Sequence, residues 1–329
     1  MNRKNLKINA FKVVFVVLFM GVLSCKDTPK EQPKNEETVV AATASEEPFF
    51  KLSLAQWSMH RMIFNEGVDP YTFAERAKEW GFTGLEYVSA LYYKELQAAN
   101  FSKEAMDAFV QKSNAESKKH GLQNVLIMID GQGDLATPDA NKRKEAVENH
   151  YKWVDAAAAM GCHAIRVNLS GSNVPEEWVA SSVDGLTQLA TYAKDKNIEV
   201  LVENHGGLSS NGAMLAEVMT KVGMENCGTL PDFGNFCIKR GETGCAEEYD
   251  IYKGIAELMP HALAVSAKSN DFDEEGNEVR LDYPRILQIV KDAGYTGYIG
   301  VEYEGNVLSE EEGIIATRDL LIKAAKQLN

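Results

Sequence analysis

A strand-then-helix rhythm repeats eight times along this chain and constrains its fold more than any other feature. Short apolar runs alternate with longer amphipathic segments, several of which end at a glycine. The predicted strands are Leu52–Trp57, Thr83–Val88, Asn124–Ile129, His163–Leu169, Glu199–Glu203, Gly228–Asp232, Ala262–Lys268 and Gly297–Glu302. The predicted helices are 69–80, 102–120, 138–160, 180–196, 211–222, 247–258, 283–293 and 309–327. Alternation of this kind is typical of a parallel sheet built from βα units.

The character of the strands favours a closed barrel. Each strand is short and continuously apolar, as expected for a parallel sheet that is buried on both faces. The competing architecture is a doubly wound open sheet, which normally carries a glycine-rich phosphate loop after its first strand. Here the segment Gln56–His60 occupies that position instead. We therefore predict a single (β/α)8 barrel, a fold that routinely reaches this length as one domain.

The amino-terminal segment has the features of an export signal. Four basic residues precede or enter an apolar run, Val13–Leu23, that is too short to be a permanent membrane span. The run ends in Leu23-Ser24-Cys25, which resembles a bacterial lipobox with Cys25 as the residue to be lipidated. The alternatives are an uncleaved anchor and an ordinary signal peptide with an incidental cysteine. We predict a lipoprotein signal peptide over residues 1–24, a flexible tether over 25–49 and the barrel over 50–329.

The charge balance limits the partners of the mature protein. The whole chain has a formal charge of −14, and loss of the signal peptide leaves 30 basic and 48 acidic residues. A surface with this excess of negative charge repels phosphate backbones and argues against nucleic-acid binding. A small or weakly charged ligand suits it better. We expect contact with a bacterial membrane through the lipid anchor alone, on the periplasmic or the cell-surface side, and nothing in the sequence indicates an oligomeric state.

Polar and charged residues collect where the predicted strands end. These residues are His60, Glu86, Asp130, Arg166, Asn168, Glu203, His205, Asp232, Asn235, Lys268 and Glu302. The carboxyl ends of the strands of a (β/α)8 barrel surround the active site in enzymes with this fold. A buried charge costs several kcal/mol unless it is paired or bound to a metal, so a functional cluster is expected here.

Three of these strand ends resemble one superfamily. The segments Val202–His205, Leu230–Asn235 and Gly300–Glu302 look like the strand-5, strand-6 and strand-8 motifs of the xylose isomerase-like sugar isomerases and epimerases. The resemblance implies a divalent metal held by Glu203, Asp232 and Glu302, with the two glutamates also acting as the acid/base pair. It covers essentially the whole barrel and is specific for the superfamily rather than for one activity.

The strand-7 motif departs from the family pattern. Where these enzymes usually have a histidine ligand, this chain has Ser266, and a serine hydroxyl is a poor ligand for a divalent ion. Three carboxylates would favour Mg²⁺ or Mn²⁺ over Zn²⁺. His205, two residues after Glu203, is a candidate replacement ligand. Alternatively no metal binds, and Lys268 supplies the positive charge that an enediolate needs.

The remaining predictions concern the substrate and the loop after strand 6. Trp57, His60, Arg166 and His205 are candidate substrate-binding residues. Cys237 and Cys245 lie eight residues apart in the strand-6 loop, and a disulfide between them is plausible in an exported protein.

Together these features predict an enzyme that transfers protons next to the carbonyl of a free, keto- or glycosidic sugar, as an isomerase or epimerase. The catalytic residues would be Glu203, Glu302 and Lys268. Two alternatives stay open: a lyase or hydrolase that acts on keto-sugars with the same site, and a carbohydrate-binding lipoprotein without catalysis. Export argues against a phosphorylated substrate, because sugar phosphates are cytoplasmic.

The lipobox makes a prediction that fractionation can check. Cys25→Ala should either release soluble protein or leave an unprocessed precursor, because the mutant lacks the thiol that would carry the lipid. Membrane fractions of cells expressing each form should be compared by immunoblotting. An unchanged membrane-bound fraction in the mutant would contradict the assignment of Cys25 as the lipidated residue.

Overall fold

Eight parallel strands form one sheet in the computed structural model, which describes residues 47–328. Around the sheet the order is β6-β5-β4-β3-β2-β1-β10-β9. The barrel strands are β1 (Lys51–Ala55), β2 (Gly84–Val88), β3 (Gln123–Met128), β4 (Ala164–Val167), β5 (Glu199–Glu203), β6 (Cys227–Leu230), β9 (Val265–Ser269) and β10 (Tyr298–Tyr303). Strands β7 (Cys237–Arg240) and β8 (Cys245–Glu248) form a separate antiparallel hairpin.

The barrel closes between β6 and β9. Isolated parallel bridges join Thr229 to Ala262 and Asp232 to Ser266 across this seam. The backbone N–H of Ser266 donates to the Pro231 carbonyl at 3.0 Å, and the N–H of Phe233 donates to the Ser266 carbonyl at 3.1 Å. The prediction of a (β/α)8 barrel is therefore confirmed, and the seam lies at two of the strand-end residues singled out above.

Helices surround the sheet and follow the strands in sequence. They are α1 (His60–Phe64), α2 (Phe73–Glu79), α3 (Tyr93–Ala98), α4 (Lys103–His120), α5 (Ala140–Met160), α6 (Pro175–Lys194), α7 (Gly212–Val222), α8 (Ile251–Leu258), α9 (Tyr283–Asp292) and α10 (Glu310–Lys326). Their starts have ordinary chemical causes. The side chain of Asp139 accepts the backbone N–H groups that begin α5, and Ser309 forms a capping box with Glu312 at the start of α10.

Two helix starts differ from the sequence prediction. Helix α6 begins at Pro175, five residues before the predicted Ala180, because proline suits the first turn and two glutamates follow it there. Helix α8 begins at Ile251 and not at Glu247, because Cys245–Glu248 pairs with β7 and Asp250 caps the helix behind it. The first strand also ends earlier than predicted, at Ala55, and a turn of 3-10 helix over Gln56–Met59 follows it.

The core fills the space between the strands and the surrounding helices. Trp153 of α5 and Trp178 of α6 are fully buried in it, in line with the packing role that their helical positions favour. At the amino-terminal edge Phe49 packs edge-on against the buried Phe50 at 5.0 Å.

Among residues 47–328, no helix has the length and the apolar character needed to cross a membrane. The predicted signal peptide, Cys25 and the tether up to residue 46 lie outside the described residues.

Candidate active site

Three carboxylates meet inside the barrel at the carboxyl ends of its strands. Glu203 ends β5, Asp232 follows β6 and Glu302 lies on β10. Their side chains are at most 3% exposed, and each offers an oxygen within 4.8 Å of the others. Three carboxylates at this spacing without water repel one another strongly, so the surrounding groups must compensate their charge.

Asp232 is held by the turn that follows it and by the barrel seam. Its Oδ1 accepts the backbone N–H groups of Gly234 and Asn235, both at 2.9 Å. Its Oδ2 accepts the hydroxyl of Ser266 at 2.7 Å. Burial raises the pKa of Asp232 to about 8; the ammonium of Lys268 opposes this shift, and the neighbouring glutamates add to it.

Glu203 lies between an amide and a guanidinium. Its Oε1 accepts the Asn235 side-chain amide at 2.9 Å. Its Oε2 lies 2.9 Å from Nε of Arg166, a distance typical of an ion pair but without the alignment of a hydrogen bond. Burial raises the pKa of Glu203 to about 7; the guanidinium of Arg166 opposes this shift, and repulsion from Glu302 adds to it.

Glu302 has the opposite electrostatic environment. Its Oε2 lies 3.3 Å from Nζ of Lys268 and 3.1 Å from the hydroxyl oxygen of Ser266. Burial would raise the pKa of Glu302, but Lys268 and Arg166 outweigh it and hold the pKa below its usual range. Lys268 also contacts Glu304 at 3.0 Å, and these carboxylates raise its pKa despite its burial. The ammonium of Lys268 therefore stays charged.

Asp130 has a role that the sequence reasoning missed. Its Oδ1 accepts from Nη1 of Arg166 and from the amide of Asn168, both at 3.0 Å. Arg166 therefore bridges Asp130 and Glu203, which fixes the guanidinium against the carboxylate cluster. The sequence feature that pointed to Asp130 was its position two residues after the end of β3. Only its distance to Arg166 shows which cation it orients.

The three carboxylates form a donor set that a divalent cation would fit. They offer hard, buried oxygen ligands, and Glu203 Oε2 has no hydrogen-bond donor among the described residues. Ser266 lies between Asp232 and Glu302, where its hydroxyl donates to the first and lies within hydrogen-bond distance of the second. The group of clustered ligand atoms does not include His205, so the structure does not place that predicted ligand with the other three.

A cavity of about 750 Å³ opens over this cluster. Two smaller cavities, of about 400 and 430 Å³, lie elsewhere on the surface. The large cavity is lined near the cluster by Asp130, Arg166, His205, Lys268, Glu302 and Glu304, with Trp57 and Ala90 on one side. Its size is in the range of small-molecule sites, and polar groups converge at its floor.

The predicted substrate-binding residues separate into two groups. Trp57, Arg166 and His205 line the cavity. His60 does not. Its ring stacks on Trp57 with centroids 4.6 Å apart, and its Nδ1 lies 3.3 Å from Glu310 Oε1 and 2.7 Å from the Trp57 carbonyl. The structure therefore places His60 behind Trp57 as support for the indole, because the turn after β1 carries it away from the barrel axis.

The strand-6 loop forms part of the cavity wall. Cys237 and Cys245 are joined by a disulfide with an S–S distance of 2.08 Å across the β7–β8 hairpin. The two remaining described cysteines, Cys162 and Cys227, are buried and free.

Glu86, on β2, is a further strand-end carboxylate inside the barrel. It is fully buried, its Oε1 accepts the Ser53 hydroxyl at 2.6 Å, and its Oε2 has no described partner. A Cβ at position 300 would approach Oε2 to 2.3 Å, so Gly300 on β10 leaves the room that this side chain needs. Burial raises the pKa of Glu86 to about 8, with Ser53 opposing the shift.

Comparison with known proteins identifies the family. The model of the xylose isomerase-like TIM barrel matches residues 74–324, and the chain belongs to this family.

Several solved structures share the fold. A D-tagatose 3-epimerase-like protein superposes with a TM-score of 0.62 at 16% identity over 85% of this chain and 98% of its own. A 3-keto-D-glucoside 4-epimerase from E. coli gives 0.63 at 14% identity, covering 83% and 99%. The IOLI protein, solved with a bound zinc atom, gives 0.63 at 14% identity, covering 84% and 99%. At these identities the likeness establishes the fold alone.

One curated relative matches over a short stretch. The α subunit of a C-glycoside deglycosidase from Arthrobacter globiformis is 41% identical over 54 residues. The aligned stretch is 16% of this chain and 15% of that protein's length.

The environment of Glu86 predicts a pH-dependent difference in stability. An acid with a folded pKa of about 8 and an ordinary pKa of 4.5 keeps its proton in the folded state while the unfolded state releases it, so stability falls as pH rises from 4.5 to 8. Glutamine cannot ionise. The free energy of unfolding of Glu86→Gln relative to wild type should therefore increase by roughly 3 kcal/mol between pH 4.5 and pH 7.

Urea unfolding at a series of pH values measures this difference. Any packing cost of the new amide is the same at every pH, so the change with pH is the diagnostic quantity. Parallel stability curves for the two proteins would show that Glu86 ionises normally in the fold.

Proposed function

We propose that this protein is an enzyme that moves protons at a carbon next to the carbonyl of a sugar, as an epimerase or isomerase. The observation that carries the proposal is the pair Glu203 and Glu302, two buried carboxylates with oxygens within 4.8 Å of each other and with opposite electrostatic environments. Glu302 also lines the large cavity. Acid/base chemistry requires such a pair, with one group ready to accept a proton and the other ready to donate one.

The proposed division of labour follows from the contacts. Glu302 is kept ionised by Lys268 and takes the proton from the carbon next to the carbonyl. The electrons of the C–H bond then move into an enediolate, whose oxygens carry negative charge. Glu203, whose pKa is raised, can hold a proton near neutral pH and delivers it to the opposite face of the same carbon or, as the hydroxyl proton moves to the former carbonyl oxygen, to the neighbouring carbon. The first outcome is epimerisation, and the second is isomerisation.

Positive charge near the enediolate oxygens is the other requirement. Lys268 lies at the cavity floor and supplies one fixed cation. Glu203, Asp232 and Glu302 would hold a divalent ion, for which their oxygens favour Mg²⁺ or Mn²⁺, and the ion would polarise the carbonyl and stabilise the negative charge. Arg166 orients Glu203, while Trp57 and His205 offer a ring face and an imidazole to the sugar.

The neighbours support a sugar as the substrate, because two of them are named as a D-tagatose 3-epimerase-like protein and a 3-keto-D-glucoside 4-epimerase. A second candidate is a lyase. The same proton abstraction followed by loss of a group from the next carbon would be an elimination, and the short match to a C-glycoside deglycosidase subunit favours it. The predicted lipid anchor at Cys25 would place either enzyme outside the cytoplasm, where sugars are not phosphorylated.

The two glutamates provide the direct test. Glu203→Gln and Glu302→Gln should each lower turnover by about 10²- to 10⁴-fold, because neither amide can exchange a proton with carbon. Incorporation of solvent deuterium into D-tagatose, D-psicose and a 3-keto-glucoside, followed by NMR, reports the proton transfer itself. Glu199→Gln is the matched control, because Glu199 begins the strand that Glu203 ends and contacts His163 instead of the cluster. If both cluster variants exchange deuterium as fast as wild type, the proposed chemistry is wrong.

Metal removal separates the two sources of positive charge. Chelation should abolish activity, and Mn²⁺ or Mg²⁺ should restore it. Asp232→Asn should lower the amount of Mn²⁺ bound, as measured by equilibrium dialysis and by electron paramagnetic resonance titration. Full activity of the chelated enzyme, together with its loss in Lys268→Met, would instead assign the charge to Lys268 alone.

A further inference from the structure

The active-site cavity extends well beyond the carboxylate cluster. Its far wall is the β7–β8 hairpin, from which Cys237, Arg240, Gly244, Cys245 and Glu248 face the same space as Glu302 and Lys268. We infer that this hairpin forms a second subsite that binds the group attached to the sugar through its glycosidic oxygen, so that the substrate is a glycoside and not a free monosaccharide. The inference rests on the proposed function and deepens it.

The distribution of charged residues along the cavity supports two subsites. The acid/base residues lie in the carboxylate cluster, where Glu203, Asp232, Glu302 and Lys268 are buried, whereas the hairpin contributes the exposed Arg240. A single sugar ring with its carbonyl at the floor would reach these groups and Trp57 without needing the hairpin. The cavity nevertheless extends to residues that follow β6 and β9 in the chain, and its whole volume is about 750 Å³. The additional space therefore suits a second chemical group on the same ligand.

The hairpin is a preformed wall. The Cys237–Cys245 disulfide joins its two strands at the cavity. Its base is closed by the Tyr249 N–H, which donates to the Phe236 carbonyl at 2.8 Å, and its turn by the Gly241 N–H, which donates to the Gly244 carbonyl at 2.8 Å. Glu248 is also paired with Arg280 at 2.8 Å, which ties the hairpin to the segment after β9. A wall that is ordered before binding costs little entropy when the ligand arrives.

Arg240 is the recognition group on this wall. It lines the cavity and is exposed, and no described carboxylate or other hydrogen-bond acceptor pairs with it. A guanidinium with no intramolecular partner can stack on an aromatic ring or donate to sugar hydroxyls. The neighbouring cation of the hairpin, Lys239, does not line the cavity. Arg240 therefore fits an aromatic aglycone or a second sugar.

The experiment compares the binding of a free sugar with the binding of the same sugar carrying a glycosidic group. Binding of 3-keto-D-glucose and of 4-nitrophenyl 3-keto-β-D-glucopyranoside is measured by calorimetry for wild type, Arg240→Ala and Lys239→Ala, and deuterium exchange is followed on both ligands. Wild type should bind the glycoside more tightly than the free sugar. Arg240→Ala should lower the ratio of the two affinities about tenfold, as expected for loss of a cation–π contact or of a charged hydrogen bond. Lys239→Ala should leave the ratio unchanged.

Each outcome has one meaning. Equal affinity of wild type for the two ligands, or an equal ratio in wild type and Arg240→Ala, overturns the second subsite while leaving the proposed chemistry standing. The expected ratios with no deuterium exchange support the subsite and overturn the chemistry. Failure of wild type to bind either ligand overturns the second subsite, while exchange on D-tagatose or D-psicose tests the chemistry separately.

Discussion

The site depends on the neutralisation of three carboxylates that are buried together. Glu203, Asp232 and Glu302 lie within a few ångströms of one another in a space from which water is almost excluded. An uncompensated charge there would cost several kcal/mol of stability. Lys268, Arg166 and the hydroxyl of Ser266 compensate part of it, and the raised pKa values of Glu203 and Asp232 show that the compensation is incomplete. A bound cation, or a proton, would complete it.

The same cluster is tied to the closure of the barrel. Asp232 and Ser266 face each other across the β6–β9 seam, where backbone hydrogen bonds join the first and last strands of the sheet order. The hydroxyl of Ser266 then links Asp232 to Glu302 on the adjoining strand β10. Closure of the barrel therefore brings Asp232 to Ser266, whereas Ser266 and Glu302 already lie on neighbouring strands of the sheet.

Ser266 has consequences for what the site can bind. Its side chain meets Asp232 and Glu302 through a hydroxyl group and adds no nitrogen ligand. The candidate metal ligands in the cluster are therefore all oxygen atoms. Lys268, two residues further along β9, brings a fixed positive charge to the same place. The site thus combines a hard ligand set with a resident cation, which fits chemistry that develops negative charge on oxygen. The hairpin wall adds the space for a larger ligand without adding charge to the floor.

The sequence alone determined the order and number of the barrel units and the three carboxylates. Strand and helix periodicity, helix-ending glycines and short motifs are local properties, so they can be read along the chain. This explains why Glu203, Asp232 and Glu302 were assigned correctly to strand ends. The start of α8 at Ile251 was misplaced, because the pairing of β7 with β8 and the Asp250 cap decided it. The start of α6 at Pro175 was missed although its proline and two glutamates are local signals.

Only the tertiary structure decided how the side chains share the site. His60 and His205 were both candidate substrate-binding residues in the sequence. His205 lines the cavity, whereas the ring of His60 stacks on Trp57 and does not line it. The role of Asp130 depends on Arg166, 36 residues away in the chain. The hairpin wall likewise depends on contacts with the segment after β9. Distances between residues far apart in sequence arise from the packing of the whole barrel, and no local pattern encodes them.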